Sequence, residues 1–267
     1  MGRKLFVIIL SIFFMLPIFW SITSSFKGIG EIFSYPPTFF PKNPTFEGYI
    51  KVLKEHDFLL YLRNTLFVAV VATLLTVPVC LMTGYSLAKG TFRSRKFFNG
   101  LFAWTLFITA EVTMVPLFIV IRGLGLVNSI WGMIIPAVYT PTGTFAAVQY
   151  MRDIPNELLE SAKIDGANEW QIFWRIVVPL SKPLMATLSI FSFTWRWNDF
   201  VLPLIIVNKK SLFTLQLALA SIQEELGPYD WTAVLAFSNL TVIPTLIIFL
   251  LFQRWFMRGI MTGGLKY

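Results

Sequence analysis

The sequence predicts an all-helical membrane protein that crosses the bilayer six times. Three observations point there. Of its 267 residues, 56% are hydrophobic and only 13% charged, against about 25% charged in soluble domains. Six apolar stretches, 5–26, 65–88, 97–121, 129–148, 183–207 and 231–256, each reach the roughly 20 residues with which a helix crosses about 30 Å of hydrocarbon. The alternating apolar and polar strands of a membrane barrel are absent from the sequence. Lipid offers backbone groups no water, so helices are the natural solution.

Taken in order, the first run follows Arg3-Lys4. It exceeds the 7–15-residue core of a secretory signal and lacks a small-x-small cleavage site, so a retained helix and signal anchor is expected. The segment 27–63 carries Pro36, Pro37, Pro41 and Pro44 and reads as an extended outer cap leading to a short helix near 47–56. His56 cannot build a zinc site alone and is expected to be solvated beside Asp57. The second run holds Cys80, the one cysteine; it excludes a disulfide or a cysteine metal site within one chain and is expected to pack as a small apolar residue. Prolines 17, 78, 116, 136, 203 and 244 fall in or near the six runs and predict a bundle that bends. The stretch 226–230, Leu-Gly-Pro-Tyr-Asp, is a turn signal. No repeat or boundary divides residues 1–267, so one domain is expected.

Orientation follows from the basic residues of short loops. Lys89, Arg93, Arg95 and Lys96 have no acid nearby. In a six-span chain they share a side with Arg3-Lys4, with Arg254, Arg258 and Lys266, and with the segment 152–182. Both termini and that segment are therefore expected in the cytoplasm, with 27–63 and 208–230 outside. The formal charge of +8 punctuates the apolar runs and does not gather on one face, which argues against a nucleic-acid partner.

The polar island 150–182 carries the strongest local signals. Pro155 suits the first turn of a helix. Glu157 and Glu160 suit its positive end, and Leu158, Leu159 and Ala162 fall on one face. Gly166 supplies a position where positive φ is free. Asn168 and Gln171 form a capping pair for a second helix, which would present Trp170, Ile172, Phe173, Trp174 and Ile176 until Pro179 stops it. The product is a helix–turn–helix with an apolar back and a charged front. An interfacial amphipathic helix without a partner is the plainer alternative.

The stretch "IPNELLESAKIDGANEWQIFWRIVVPLSKP" resembles the EAA coupling loop of carbohydrate-type ABC importer permeases, in particular the smaller, six-helix permease subunit of maltose-type importers. The resemblance runs nearly end to end, through "SYPPTFFPKNPTFEGYIKVL", "RGLGLVNSIWGMIIP", "WRWNDFVLPLIIV" and the tail "MTGGLKY". Ser161, where the family usually has alanine, and Val178, for leucine, are small departures; Arg196 is a less typical one. The resemblance implies the type I importer permease architecture, with a short helix over 156–163 inserted into a cleft of a separate ATPase. Leu159, Glu160, Ser161, Ala162, Lys163, Asp165 and Gly166 would then be the ATPase-coupling residues, and Thr262, Gly263 and Gly264 a tail reaching the ATPases. It further implies a second, larger homologous permease, two ATPase copies and an external solute-binding protein, in a bacterial cytoplasmic membrane. The solute would be an oligosaccharide, polyol or glycerol phosphate. ATP and magnesium would sit on the ATPase, and no cofactor on this chain.

Polar residues inside the runs are the candidate solute path. They are Glu111 in the third run and Arg196, Trp197, Asn198 and Asp199 in the fifth. A charge at the bilayer centre costs about 2.5–3.5 kcal/mol or more, so such residues face protein or a wet cavity. Carboxylate, amide and guanidinium groups bind hydroxyls, and indoles stack on sugar rings. Alternatively Arg196 and Asp199, spaced i, i+3, neutralise each other. An ion-coupled secondary transporter would use Glu111 or Asp199 as its carrier. A membrane enzyme would need clustered nucleophiles, which the sequence lacks. It also lacks the G-x-x-x-x-G-K-[ST] phosphate loop, so it has no such ATP site of its own.

Overall fold

The computed structural model describes the backbone of residues 2–225 and 230–264, and their side chains except at 2, 3, 110, 223–225, 248, 249 and 251–264. Its long-range contacts gather into two units, 1–64 with 213–248, and 65–212 with 249–267.

The first unit contains helix α1 (Gly2–Ser24), helix α2 (Glu47–Glu55) and the first residues of helix α3 (Phe58–Lys89). It also contains helix α12 (Leu215–Glu225) and the start of helix α13 (Trp231–Gly264). The apolar side chains of α1 are exposed over most of its length, Phe6 and Phe14 by about two thirds, as a lipid-facing helix requires. The cap between α1 and α2 closes over a buried ammonium. Lys27 is 1% exposed, donates to the Thr38 carbonyl at 2.5 Å and lies 4.3 Å from the Trp20 ring centre. The expected short helix after the cap is α2. Its Gly48 lies against α13, where a Cβ would come within 2.6 Å of the Thr232 carbonyl. Lys51 pairs with Asp230 at 2.9 Å. His56 is half-buried rather than solvated, and its Nε2 is shielded without a hydrogen-bond partner.

The second unit departs from the expected unbroken spans. The third run divides into α4 (Arg95–Thr105) and α5 (Ala110–Gly123). The break falls at 106–109, while Pro116 stays inside α5. The fourth run divides into α6 (Ile130–Ile134), a 3-10 turn (Ile135–Val138) and α7 (Pro141–Arg152). Here the cause is local, because a proline pushes the residue before it out of the helical region. Thr140 is extended at φ −133°, and its hydroxyl caps α7 by accepting the Gly143 N–H at 3.2 Å. The fifth run divides into α10 (Lys182–Trp197) and α11 (Val201–Ile206). At that break the Asn198 amide turns back to the Thr194 carbonyl at 2.9 Å.

Among the described residues, two of the six expected spans are single helices long and apolar enough to cross a bilayer, Lys4–Ser24 and Phe58–Lys89. The apolar part of α13 over Trp231–Ile247 is shorter. Pro17 and Pro78 sit inside α1 and α3 without ending them.

Helices α3 and α7 approach closely through small residues. A Cβ on Gly84 would stand 2.5 Å from the Ala147 Cβ, and one on Gly143 would stand 2.9 Å from the Cys80 sulfur. Cys80 and Gly84 are four residues apart on α3, as Gly143 and Ala147 are on α7. This small-residue spacing is what lets membrane helices approach. Cys80 is fully buried there, as expected. Asn128, at φ +57°, ties the turn after α5 to the end of α11. Its side-chain oxygen accepts the Asn208 N–H at 2.6 Å, and its own N–H donates to the Ile206 carbonyl at 3.0 Å.

Candidate functional site

Residues 153–182 fold as a helix, a tight turn and a second helix. Helix α8 spans Asn156–Ile164. Pro155 stands just ahead of it as the N-cap residue rather than in its first turn. Its C-terminus closes with two reversed hydrogen bonds, Gly166 N–H to the Lys163 carbonyl at 3.0 Å and Ala167 N–H to the Ala162 carbonyl at 2.9 Å. That is a Schellman ending, which needs its penultimate residue in the left-handed region, and Gly166 sits at φ +82°. Helix α9 (Glu169–Leu180) starts with the expected capping box. Asn168 Oδ1 accepts the Gln171 N–H at 2.9 Å, and Gln171 Oε1 accepts the Asn168 N–H at 3.0 Å. It widens into a π turn at Phe173–Val177 and runs through Pro179 to Leu180, one residue past the expected stop. A bend of 77° at Ser181 leads into α10.

The segment has one buried side. Leu159, Ile172, Phe173 and Val177 pack in one core with Leu87 and Ala88 of α3, Val148 and Met151 of α7, and Leu184 and Leu188 of α10; Ala162 leans on it half-buried. Glu160, Ser161, Lys163 and Asp165 are exposed on the other side. Of the apolar residues the second helix was expected to present, Trp170 and Trp174 are exposed by 62% and 43%.

Sequence reasoning missed the residues that fix this segment in place. Lys89, read only as an orientation marker, donates to the Ile154 carbonyl at 2.6 Å and to Asn156 Oδ1 at 2.8 Å, holding the start of α8. Arg95 reaches back to the end of α3, donating to the carbonyls of Leu87 at 2.8 Å and Ala88. Glu169 bridges the segment to α3. It pairs with Lys163 at 2.6 Å and accepts from the Tyr85 hydroxyl at 2.8 Å. The Lys163 ammonium first, then the Tyr85 hydroxyl, hold the Glu169 carboxyl below its ordinary range. The only sequence hint was an uncommitted charge at a helix end.

The breaks in the third, fourth and fifth runs line one cavity of about 550 Å³. Ile108 comes from the first break, Tyr139 and Thr140 from the second, and Asp199 from the third. Arg196 and Asp199 both line it and pair at 2.9 Å, each side chain 19% exposed. Asp199 also accepts the Leu202 N–H at 3.3 Å, at the start of α11. The other candidate path residues lie elsewhere. Trp197 is 1% exposed, stacked on Phe193 at 5.6 Å, with its indole N–H buried and unpartnered. Asn198 and Glu111 are exposed and absent from the cavity wall, and Glu111 sits in the first turn of α5 rather than mid-helix. Thr105, Thr113, Thr142 and Trp195, by contrast, do line it. Thr262, Gly263 and Gly264 have helical backbone in α13; their side chains, and the whole of residues 265–267, lie outside the described residues. Among the described residues, no three histidine, cysteine or carboxylate side chains gather as a metal site.

The model of the family described as "Binding-protein-dependent transport system inner membrane component" matches residues 1–262. The arabinooligosaccharides transport system permease protein AraQ of Halalkalibacterium halodurans is 34% identical over 255 residues, covering 94% of this chain and 90% of that relative. The sn-glycerol-3-phosphate transport system permease protein UgpE of Yersinia pestis is 31% identical over 253 residues, covering 92% and 90%. Among solved structures, a bacterial ABC transporter involved in the import of the acidic polysaccharide alginate contains a chain with TM-score 0.84. It is 24% identical, with 96% of this chain and 95% of that one covered.

Proposed function

This chain belongs to the family of binding-protein-dependent transport system inner membrane components, and we propose that it imports a sugar or related hydroxylated solute, coupled through residues 156–166 to a separate ATPase. Family membership makes it a transport subunit of a bacterial inner membrane, not an enzyme, working with an ATPase and a solute-binding protein. The arabinooligosaccharide and glycerol-phosphate relatives support the solute class.

The observation that carries the coupling reading is the two-sided build of the segment. Its apolar side is fused to the core of α3, α7 and α10, while Glu160, Lys163 and Asp165 face outward. A push on the outward side is therefore passed to α7 and α10, which contribute Thr142, Trp195 and Arg196 to the cavity wall. Carboxylates on that side suit charge-assisted bonds to a partner's arginines. ATP and magnesium belong to the ATPase, and this chain supplies the docking helix. A second homologous permease and two ATPase copies complete the assembly, and both termini lie in the cytoplasm with residues 262–264 near the ATPases.

Cysteines placed at Glu160 or Lys163 test this reading directly, because Cys80 is fully buried and stays silent. They are expected to cross-link to a co-expressed ATPase and to react with a membrane-impermeant reagent from the cytoplasmic side alone. Labelling from outside would overturn the orientation and the coupling with it. An ion-coupled carrier is the less favoured reading, since Asp199 is already engaged by Arg196 and the Leu202 N–H. Uptake that persisted without any ATPase and collapsed with the ion gradient would restore it.

A further inference from the structure

We infer that the cavity at the helix breaks receives a neutral, polyhydroxylated part of the solute and turns away phosphorylated or carboxylated ones. This rests on the import reading above and narrows its solute class. The volume, about 550 Å³, lies within the roughly 300–1,000 Å³ of small-molecule sites.

Charge decides the class. Among the described residues lining the cavity, Arg196 and Asp199 alone are charged, and their contact at 2.9 Å leaves the wall with no net charge. An incoming anion would have to draw the guanidinium away from Asp199 or lie beside an intact carboxylate. Either arrangement leaves a half-buried charge without its partner, the expensive state for such pairs. At two of the helix starts on the wall, an N–H that would otherwise attract anions is already taken. Thr140 takes the Gly143 N–H at the start of α7, and Asp199 takes the Leu202 N–H at the start of α11.

Hydroxyls meet no such obstacle. A guanidinium has five N–H donors and a carboxylate about four acceptor sites, so the pair can bond solute hydroxyls while intact. Threonines 105, 113, 140 and 142 make the rest of the wall polar without adding charge, and Trp195, 41% exposed, supplies a flat apolar surface there. Two of the similar proteins are named for anionic solutes, glycerol phosphate and an acidic polysaccharide, and one for arabinooligosaccharides. The paired wall places this chain with the neutral class.

The test uses the assembled transporter carrying Thr142→Cys. Maleimide labelling of that cysteine is timed with arabinobiose, maltose or glycerol, and separately with sn-glycerol 3-phosphate or glucuronate. At least one neutral probe is expected to slow labelling by about fivefold or more at a concentration several times its Kd, with neither anion slowing it. Equal or greater protection by an anion, or none by any neutral probe, would overturn the inference. Adding Asp199→Asn frees the guanidinium and is expected to bring protection by glycerol phosphate. A well-assembled double variant still blind to the anion would defeat the charge argument; should it not assemble, the Thr142→Cys comparison decides alone. Coupling is read separately from ATP-driven uptake and the cysteine cross-link to the ATPase. Their loss in the otherwise native chain defeats the import reading, whereas intact coupling without protection defeats only this inference.

Discussion

At φ +82°, Gly166 occupies a region that any residue with a Cβ enters at roughly 1–2 kcal/mol. No atom lies within 4 Å of where that Cβ would be, so the strain is purely of the backbone and falls on the turn that aims α8. Gly166→Val is expected to leave an inserted bundle in normal amount while ATP hydrolysis no longer drives uptake; normal ATP-driven uptake would remove the turn from the coupling account. The pair Arg196–Asp199 answers to a double-mutant cycle. Removing either partner leaves the other charge half-buried, a loss of about 1–3 kcal/mol, so each single variant is expected to melt below the double. Transport, in contrast, is expected to fail in all three, because the double variant restores charge balance without restoring the hydroxyl-binding wall. A double variant with normal uptake would reduce the pair to a structural one.

Among the elements, the crossing of α3 and α7 tolerates no added bulk. Gly84→Leu forces the helices apart against the Ala147 backbone and is expected to cost about 1–3 kcal/mol, read as a lower melting temperature of the purified protein. The coupling segment depends on Glu169. Its carboxyl titrates below the ordinary glutamate value, so its contribution is present above that value and is lost as pH falls through the folded one. Hydrogen exchange over 156–172, taken relative to the rate of an unstructured chain at the same pH, is therefore expected to be flat near neutrality and to quicken in acid. Glu169→Gln should quicken it at pH 7 as well. The size is modest, under about 1 kcal/mol, because the side chains of Lys163 and Glu169 are more than half exposed.

For the whole molecule, the expected orientation makes a simple demand. Cysteines replacing Lys96 and Lys54, which flank α3 in the sequence, should be labelled from the cytoplasm and from outside respectively. Labelling of both from one side would break the six-span arrangement. Its weakest points are the third to fifth runs, where the structure has broken helices in place of continuous ones.

The sequence by itself determined the features that depend on near neighbours. Six apolar runs, the proline-rich cap ahead of α2, the Gly166 turn and the Asn168–Gln171 box are each written within a few residues, since backbone preference and capping act over one helical turn. The break before Pro141 has a local cause as well, yet the run around it reads as one unbroken helix. The break at 106–109 was not legible, because no glycine or proline marks it and a uniformly apolar run reads as one helix. Tertiary structure alone decided which polar residues meet. Lys89 reaches the Ile154 carbonyl 65 residues away, Tyr85 reaches Glu169 across 84, and three separate helix breaks share one cavity. Trp197 looked equivalent to Trp195 in sequence, yet two positions on a helix point in different directions. One indole is therefore buried in the core and the other lines the cavity, a difference set by what packs beside each and carried by no local signal.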